Sequence, residues 1–236
     1  MNFVPNGYPE ISSKYLEPTY FFDFENSLVQ KFVLEVTRNI YNPVEQTKRL
    51  FLAVRDQIRY DPYNISLDSS TYQASYCLNT KHGFCLPKAN LLIAAVRAIG
   101  IPAGIGLSDV KNHLCTEKMR RMMGGKDIFL HHGYAVIFLE NKWLKLSPAF
   151  NIELCDRFDV LPTDFDGENH ALFQQYDAKG HLHMEYVKDH GIWSDFPHQR
   201  VTADFKKSYP PSVYDSKARA AVDTMMGEYL PPTQGG

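Results

Sequence analysis

Cys85-Leu86-Pro87-Lys88-Ala89-Asn90-Leu91-Leu92-Ile93-Ala94-Ala95-Val96-Arg97-Ala98-Ile99 is apolar on nearly every side of a helical wheel, and Gly100-Ile101-Pro102 ends it. A helix with so little polar face belongs at the centre of a domain. Directly before it stands the glycine-bearing turn Lys81-His82-Gly83-Phe84. The spacing therefore predicts a cysteine at the N-terminus of a buried helix. Unpaired N–H groups and roughly half a positive charge gather there, an arrangement that stabilises thiolate over thiol and brings a cysteine pKa down from about 8.5. Gly83 would let backbone approach a substrate closely, and the Cys85 N–H would face a developing oxyanion.

Upstream, a helix is predicted near 26–40, ended by Asn42-Pro43, and a second opens at Pro43 with Val44, Phe51, Val54 and Ile58 at helical spacing. Tyr60-Asp61-Pro62 stops it, and the polar stretch 61–83 reads as a long loop. Downstream, residues 103–110 form a strand pattern, 112–127 a polar excursion holding a short helix, and His132–Leu139 with Trp143–Leu146 a hairpin turning at Glu140-Asn141. Further strands are expected at 173–176 and 181–186 around the turn 177–180, with a last helix over 216–229 and a disordered PPTQGG end. Helices first and strands afterwards give an α+β fold with an antiparallel sheet. One domain over 1–236 is expected, its core about 26–151 and a C-terminal extension over 152–236.

A thiolate nucleophile needs a base, and His132 begins the strand that follows the helix. Strand alternation sends its neighbour His131 to the opposite face. A two-residue turn at Glu140-Asn141 sets His132 opposite Ala149, with Ser147 and Asn151 as diagonal neighbours able to orient the imidazole. Asp164 and Asp166 are further candidates, and an ordinary turn is the simpler reading of both. Cys77, Cys115 and Cys155 lack such a context and read as reduced thiols, with no CxxC pair to mark zinc or disulfides. His181, His183 and His190 form a conceivable facial cluster, but with no acidic or sulfur partner at ligand spacing no metal is expected. Tyr63, Tyr72 and Tyr76 line a groove or simply pack.

The run 51–151 resembles the catalytic core of the transglutaminase-like superfamily in Ile58 with Tyr60, Gly83-Phe84-Cys85, Leu91 through Arg97, Gly100-Ile101-Pro102-Ala103, and His132-Gly133-Tyr134 with Trp143. The resemblance implies a papain-like arrangement of a cysteine helix against a histidine strand. It also implies an aspartate just before a proline on the next strand, where this chain has Ser147 before Pro148. Serine accepts a hydrogen bond but cannot stabilise imidazolium by charge. The expected activity is hydrolysis of amide, peptide-like bonds through an acyl-enzyme. The alternatives are acyl transfer on the same Cys85 and His132, since Gly83-Phe84-Cys85 also resembles arylamine acetyltransferases, and a non-catalytic binding module.

The chain has 236 residues, 44 % hydrophobic and 22 % charged, with a formal net charge of −2. Nothing in that balance would neutralise a phosphate backbone, so nucleic acid is an unexpected partner and a peptide-like or acyl small molecule the expected one. The start MNFVPNGYPE has no charged and apolar regions of a secretory signal, and the longest apolar stretch, near 91–96, is far short of a span. A cytoplasmic protein without membrane contact is the expectation. No cofactor is expected, calcium included, for want of a clustered acidic loop.

Overall fold

The computed structural model describes residues 3–4, 7–113, 115–173 and 184–220. In chain order the elements are β1 (Phe3–Val4), α1 (Ser27–Val36), α2 (Pro43–Gln57), β2 (Arg59–Tyr60), α3 (Ala74–Thr80), β3 (His82–Gly83) and α4 (Cys85–Ala98). There follow β4 (Ala103–Asn112), α5 (Glu117–Met122), β5 (Ile128–Leu139), β6 (Lys142–Leu146), α6 (Ile152–Phe158), β7 (Met184–Trp193) and α7 (His198–Ser208). The main sheet is antiparallel in the order β1-β7-β4-β5-β6, and β2 pairs in parallel with β3. Helices do precede most of the sheet, so the fold is α+β.

Local chemistry explains the boundaries. The side chain of Asn26 accepts from Leu28 N at the start of α1, and that of Asn42 from Val44 N and Glu45 N at the start of α2, with Pro43 at the first helical position. The first helix stops at Val36, short of the expected residue 40, and Asn39 takes a left-handed φ of 62°. Gly100, at φ 80°, follows α4. Glu140 and Asn141 both have positive φ, the two-residue turn that suits strand twist, and β5 pairs with β6 from Leu139↔Lys142 to Ala135↔Leu146.

Three expectations are corrected. The stretch 61–83 is no simple loop: Ser69–Tyr72 make a 3-10 turn and α3 follows, burying Ala74, Cys77 and Leu78. That apolar triplet has helical spacing, but polar neighbours dilute it. The helices α6 and α7 were not anticipated, and the strand expected at 181–186 is β7, running on to Trp193. Of the elements expected over 173–186 and 216–229 and the PPTQGG end, residues 174–183 and 221–236 lie outside the described residues, while 216–220 are helical.

Every residue of α4 from Leu86 to Arg97 is buried. Its cations are held by main-chain carbonyls. Lys88 Nζ donates to Arg55 O (2.8 Å), Ile58 O (2.6 Å) and Ala149 O (2.7 Å). Arg97 donates to Ala103 O, Ser194 O and Glu17 O, and its guanidinium lies over the Phe22 ring. Burial draws Lys88 down to about 7, but three acceptors match the three N–H of an ammonium and oppose that shift. No helix among the described residues is long and apolar enough to cross a membrane.

Lys88→Met should lower unfolding free energy by about 2–4 kcal/mol, because three buried carbonyls lose their donor. Lys31→Met, at an exposed i,i+4 pair with Glu35, should change it by less than about 0.5 kcal/mol. Urea denaturation of the two variants checks the contrast.

Candidate active site

Cys85 is the first residue of α4, and its N-cap, Phe84, has no side-chain cap bond. The helix-start amides are therefore free for other acceptors. The backbone N–H groups of Gly133, Leu86 and Cys85 itself act to lower the thiol's pKa. Gly133 lets β5 come close to α4: a Cβ there would stand 2.5 Å from Leu86 Cδ2 and 3.3 Å from Leu86 Cα. Gly83 serves packing, since a Cβ on it would come within 3.2 Å of Cys77 Sγ and Pro87 Cβ.

His132 and Ser147 are both buried, with Ser147 Oγ 3.4 Å from His132 Nε2. The Phe173 ring, 5.1 Å away, and the Tyr186 ring, 6.2 Å away, cover the imidazole. Burial pulls His132 down to about 4 and pushes the half-buried Cys85 thiol up to about 11, the amides around the sulfur opposing. The expected lowering of the Cys85 pKa by the helix start is thus outweighed by desolvation. Burial therefore favours thiol over thiolate at Cys85 and neutral imidazole over imidazolium at His132.

Ser147 and Asn151, the two candidates from hairpin geometry, part company. Pairing with β5 ends at Leu146, and Ser147 N then donates to Ala171 O (2.7 Å). Beyond Pro148 the chain leaves the hairpin register. Asn151 Oδ1 accepts from Tyr60 N (3.0 Å) and its Nδ2 donates to Glu153 Oε2 (2.5 Å), so its side chain fastens β2 to the start of α6. Asp164 pairs with Arg55, and Asp166 accepts from Glu168 N and Asn169 N in a turn. Of the histidine trio, His181 and His183 lie outside the described residues, and His190 Nε2 meets Asp109 Oδ1 at 2.8 Å.

Cys85 and His132 line one cavity of about 50 Å³, walled by Phe84, Met119, Met122 and Tyr209 among others. A wider cleft of about 630 Å³ shares Tyr60, Pro62, Asn112, Met119 and Phe129 with it, and Arg59, Asp61, Glu153 and Arg157 stand along this cleft. Tyr63 lines the cleft, Tyr72 is stacked on Phe196 in the core, and Tyr76 is exposed. Met119 and Met122 of α5, Phe205 of α7 and Tyr209 just after it are wall residues that sequence spacing did not reveal.

A family model described as the transglutaminase-like superfamily matches residues 30–148. The chain belongs to the transglutaminase-like superfamily. At that level it is a member of a cysteine-enzyme family, and the match takes in Cys85, His132 and Ser147. Among solved structures, a candidate cysteine protease of Cytophaga hutchinsonii is similar, with 14% identity, a TM-score of 0.49 and coverage of 79% of this chain and 48% of that one. A candidate protease of Parabacteroides distasonis shows 20% identity, a TM-score of 0.35 and coverage of 59% and 27%. The chain thus spans less than half the length of either structure. No curated protein matches it. The family assignment rests on the family match alone.

Iodoacetamide labelling of Cys85 in the folded superfamily member should be slow at neutral pH and climb towards about pH 11, while the denatured chain labels with a midpoint near about 8.5. A labelling plateau below neutral pH, followed by peptide mass spectrometry, would show an ion pair instead and refute the neutral resting pair.

Proposed function

We propose that this chain is a cysteine hydrolase of amide, peptide-like bonds whose acyl part is small and apolar, with Cys85 as nucleophile, His132 as base and Ser147 as the residue that orients the imidazole. The observation that carries the reading is the shared cavity of Cys85 and His132, with the amides of Gly133, Leu86 and Cys85 around the sulfur. In this reading the thiol gives its proton to an imidazole nitrogen of His132 as sulfur attacks the carbonyl carbon. The neutral pair then carries charge only while the reaction proceeds. The same amides stabilise the oxyanion. Collapse breaks the C–N bond, the departing amine takes the proton from His132, and a thioester to Cys85 remains. Water, deprotonated by His132, releases the acid and restores the thiol.

The cavity size supports the choice of acyl group. At about 50 Å³ it exceeds the ~10–15 Å³ needed for one water only a few-fold, so a short apolar group fits and the rest of a substrate would occupy the wider cleft. A second reading, transfer of the acyl group to an amine, draws support from the same apolar walls, which hold water back from the thioester.

Wild type incubated with short apolar acyl anilides and thioesters should turn them over and show an acyl adduct on Cys85 by intact mass. Cys85→Ala should abolish both, His132→Ala should cost about 10²–10⁴-fold in kcat, and Ser147→Ala should cost within about tenfold, the worth of one neutral hydrogen bond. Amide product outweighing acid at millimolar concentrations of an added alkyl amine decides for transfer, and acid as the main product decides for hydrolysis. Equal inactivity of wild type and Cys85→Ala, without any adduct, would leave the binding module as the reading.

A further inference from the structure

Three neighbouring strands break register at one place. Pairing of β4 with β5 shifts between Ser108 and Val110, and pairing of β4 with β7 shifts between Asp109 and Val110 and again between Gly106 and Ser108. His131 sits opposite the first break with a left-handed φ of 54°, costly for a residue with a Cβ. Bulges of this kind turn side chains away from strict alternation. Here they gather Asp109 of β4, His131 of β5 and His190 of β7, all buried, with one ligand-capable atom of each lying within 4.8 Å of the others.

The bonding within this group is incomplete. Asp109 Oδ1 accepts from His131 N (3.0 Å) and meets His190 Nε2 (2.8 Å), and the two imidazole rings are 4.4 Å apart. His131 Nε2 lies 2.7 Å from Asp204 Oδ2 of α7, while His131 Nδ1 is buried without a hydrogen-bond partner among the described residues. His131 itself is 1% exposed. A histidine with one ring nitrogen on a carboxylate and the other left bare is how metal-bound imidazoles are held, the carboxylate setting ring orientation and basicity.

We propose that Asp109, His131 and His190 form a binding site for a first-row divalent cation of the zinc class, with Asp204 orienting His131. Two imidazoles and a carboxylate suit zinc, cobalt(II) or iron(II), with further coordination positions left for water. Ligand atoms around a tetrahedral ion with bonds of ~2.0–2.1 Å lie roughly 3.3–3.5 Å apart. Binding therefore closes the wider separations, which reach at most 4.8 Å, and opens the 2.8 Å contact of His190 Nε2 with Asp109 Oδ1, His190 exchanging that bond for the metal. The ion would join β4, β5, β7 and, through Asp204, α7, which makes its role structural and independent of turnover at Cys85.

The test is metal content of the full chain by elemental mass spectrometry, followed by chelator dialysis and titration with zinc and with cobalt(II). The expected result is one equivalent per chain, cobalt d–d bands in the visible range, and a rise in Tm on adding zinc. His131→Asn, His190→Gln and Asp109→Asn should abolish binding, Asp204→Asn should weaken it about 10–100-fold, and Cys85→Ser should leave it intact. No bound metal together with no Tm shift in wild type overturns the proposal, as does unchanged binding in His131→Asn and His190→Gln. Loss of binding in Cys85→Ser would place the metal at the thiol and overturn it equally. Because the wild-type titration decides on its own, a variant that fails to fold does not shelter the idea.

Discussion

A helix buried on all sides has nowhere to send a charge, and α4 carries two. The solution is the same at both ends: Lys88 and Arg97 turn their donors onto main-chain carbonyls from other parts of the chain. Leaving such a cation unpaired would cost several kcal/mol, so these bonds constrain whatever supplies the carbonyls. Lys88 is three residues after Cys85 on the same helix, and it holds the end of α2 through Arg55 and Ile58 and the chain after β6 through Ala149. Ala149 is two residues past Ser147. One ammonium therefore sets the cysteine-bearing helix start at a fixed height against the segment that reaches His132, and the site geometry inherits the rigidity of the core.

The same burial explains the chemistry of the pair. Desolvation penalises both thiolate and imidazolium, pushing Cys85 up and His132 down. A carboxylate at the buried position 147, beside a neutral imidazole, would be a buried charge of its own. A hydroxyl is not. Thiol, imidazole and hydroxyl form a set that is neutral throughout, and Ser147 belongs to that set on electrostatic grounds. In the proposed reaction the amides at the start of α4 would act when negative charge develops on sulfur or oxygen.

What could be read from the sequence follows from how local each signal is. The apolar run 85–99, the Asn42-Pro43 helix start and the Glu140-Asn141 turn each state their structure within a few residues, and all three appear at those positions. The helix α3 was hidden because only Ala74, Cys77 and Leu78 of its seven residues are buried, and α7 because its mean hydropathy is low although Val201, Thr202 and Phe205 form an inward face. The expectation for Asn151 depended on strand pairing continuing past Pro148. Hairpin geometry holds only while the ladder continues, and the ladder ends where Ser147 N turns to Ala171 O. Pro148, with no N–H to give a ladder, marks that end locally, while the new partner, Ala171 O, is a tertiary event.

The adjacent histidines show how one strand serves two purposes. His132 shares its surroundings with Ser147, Phe173 and Tyr186, whereas His131 meets Asp204, His190 and Phe205. Alternation alone would give two faces, and an even register would leave Asp109 level with His131. The bulge adds the residue that lets Asp109 accept from the His131 N–H and so cap the irregularity. Strain at His131 is tolerable because the strand is tied on both sides at that point, through Asp109 to β4 and through Asp204 to α7. Its neighbour gains from this: a strand anchored one residue before His132, and packed through Gly133 onto Leu86 one residue after it, leaves the backbone of His132 little freedom to drift from Cys85.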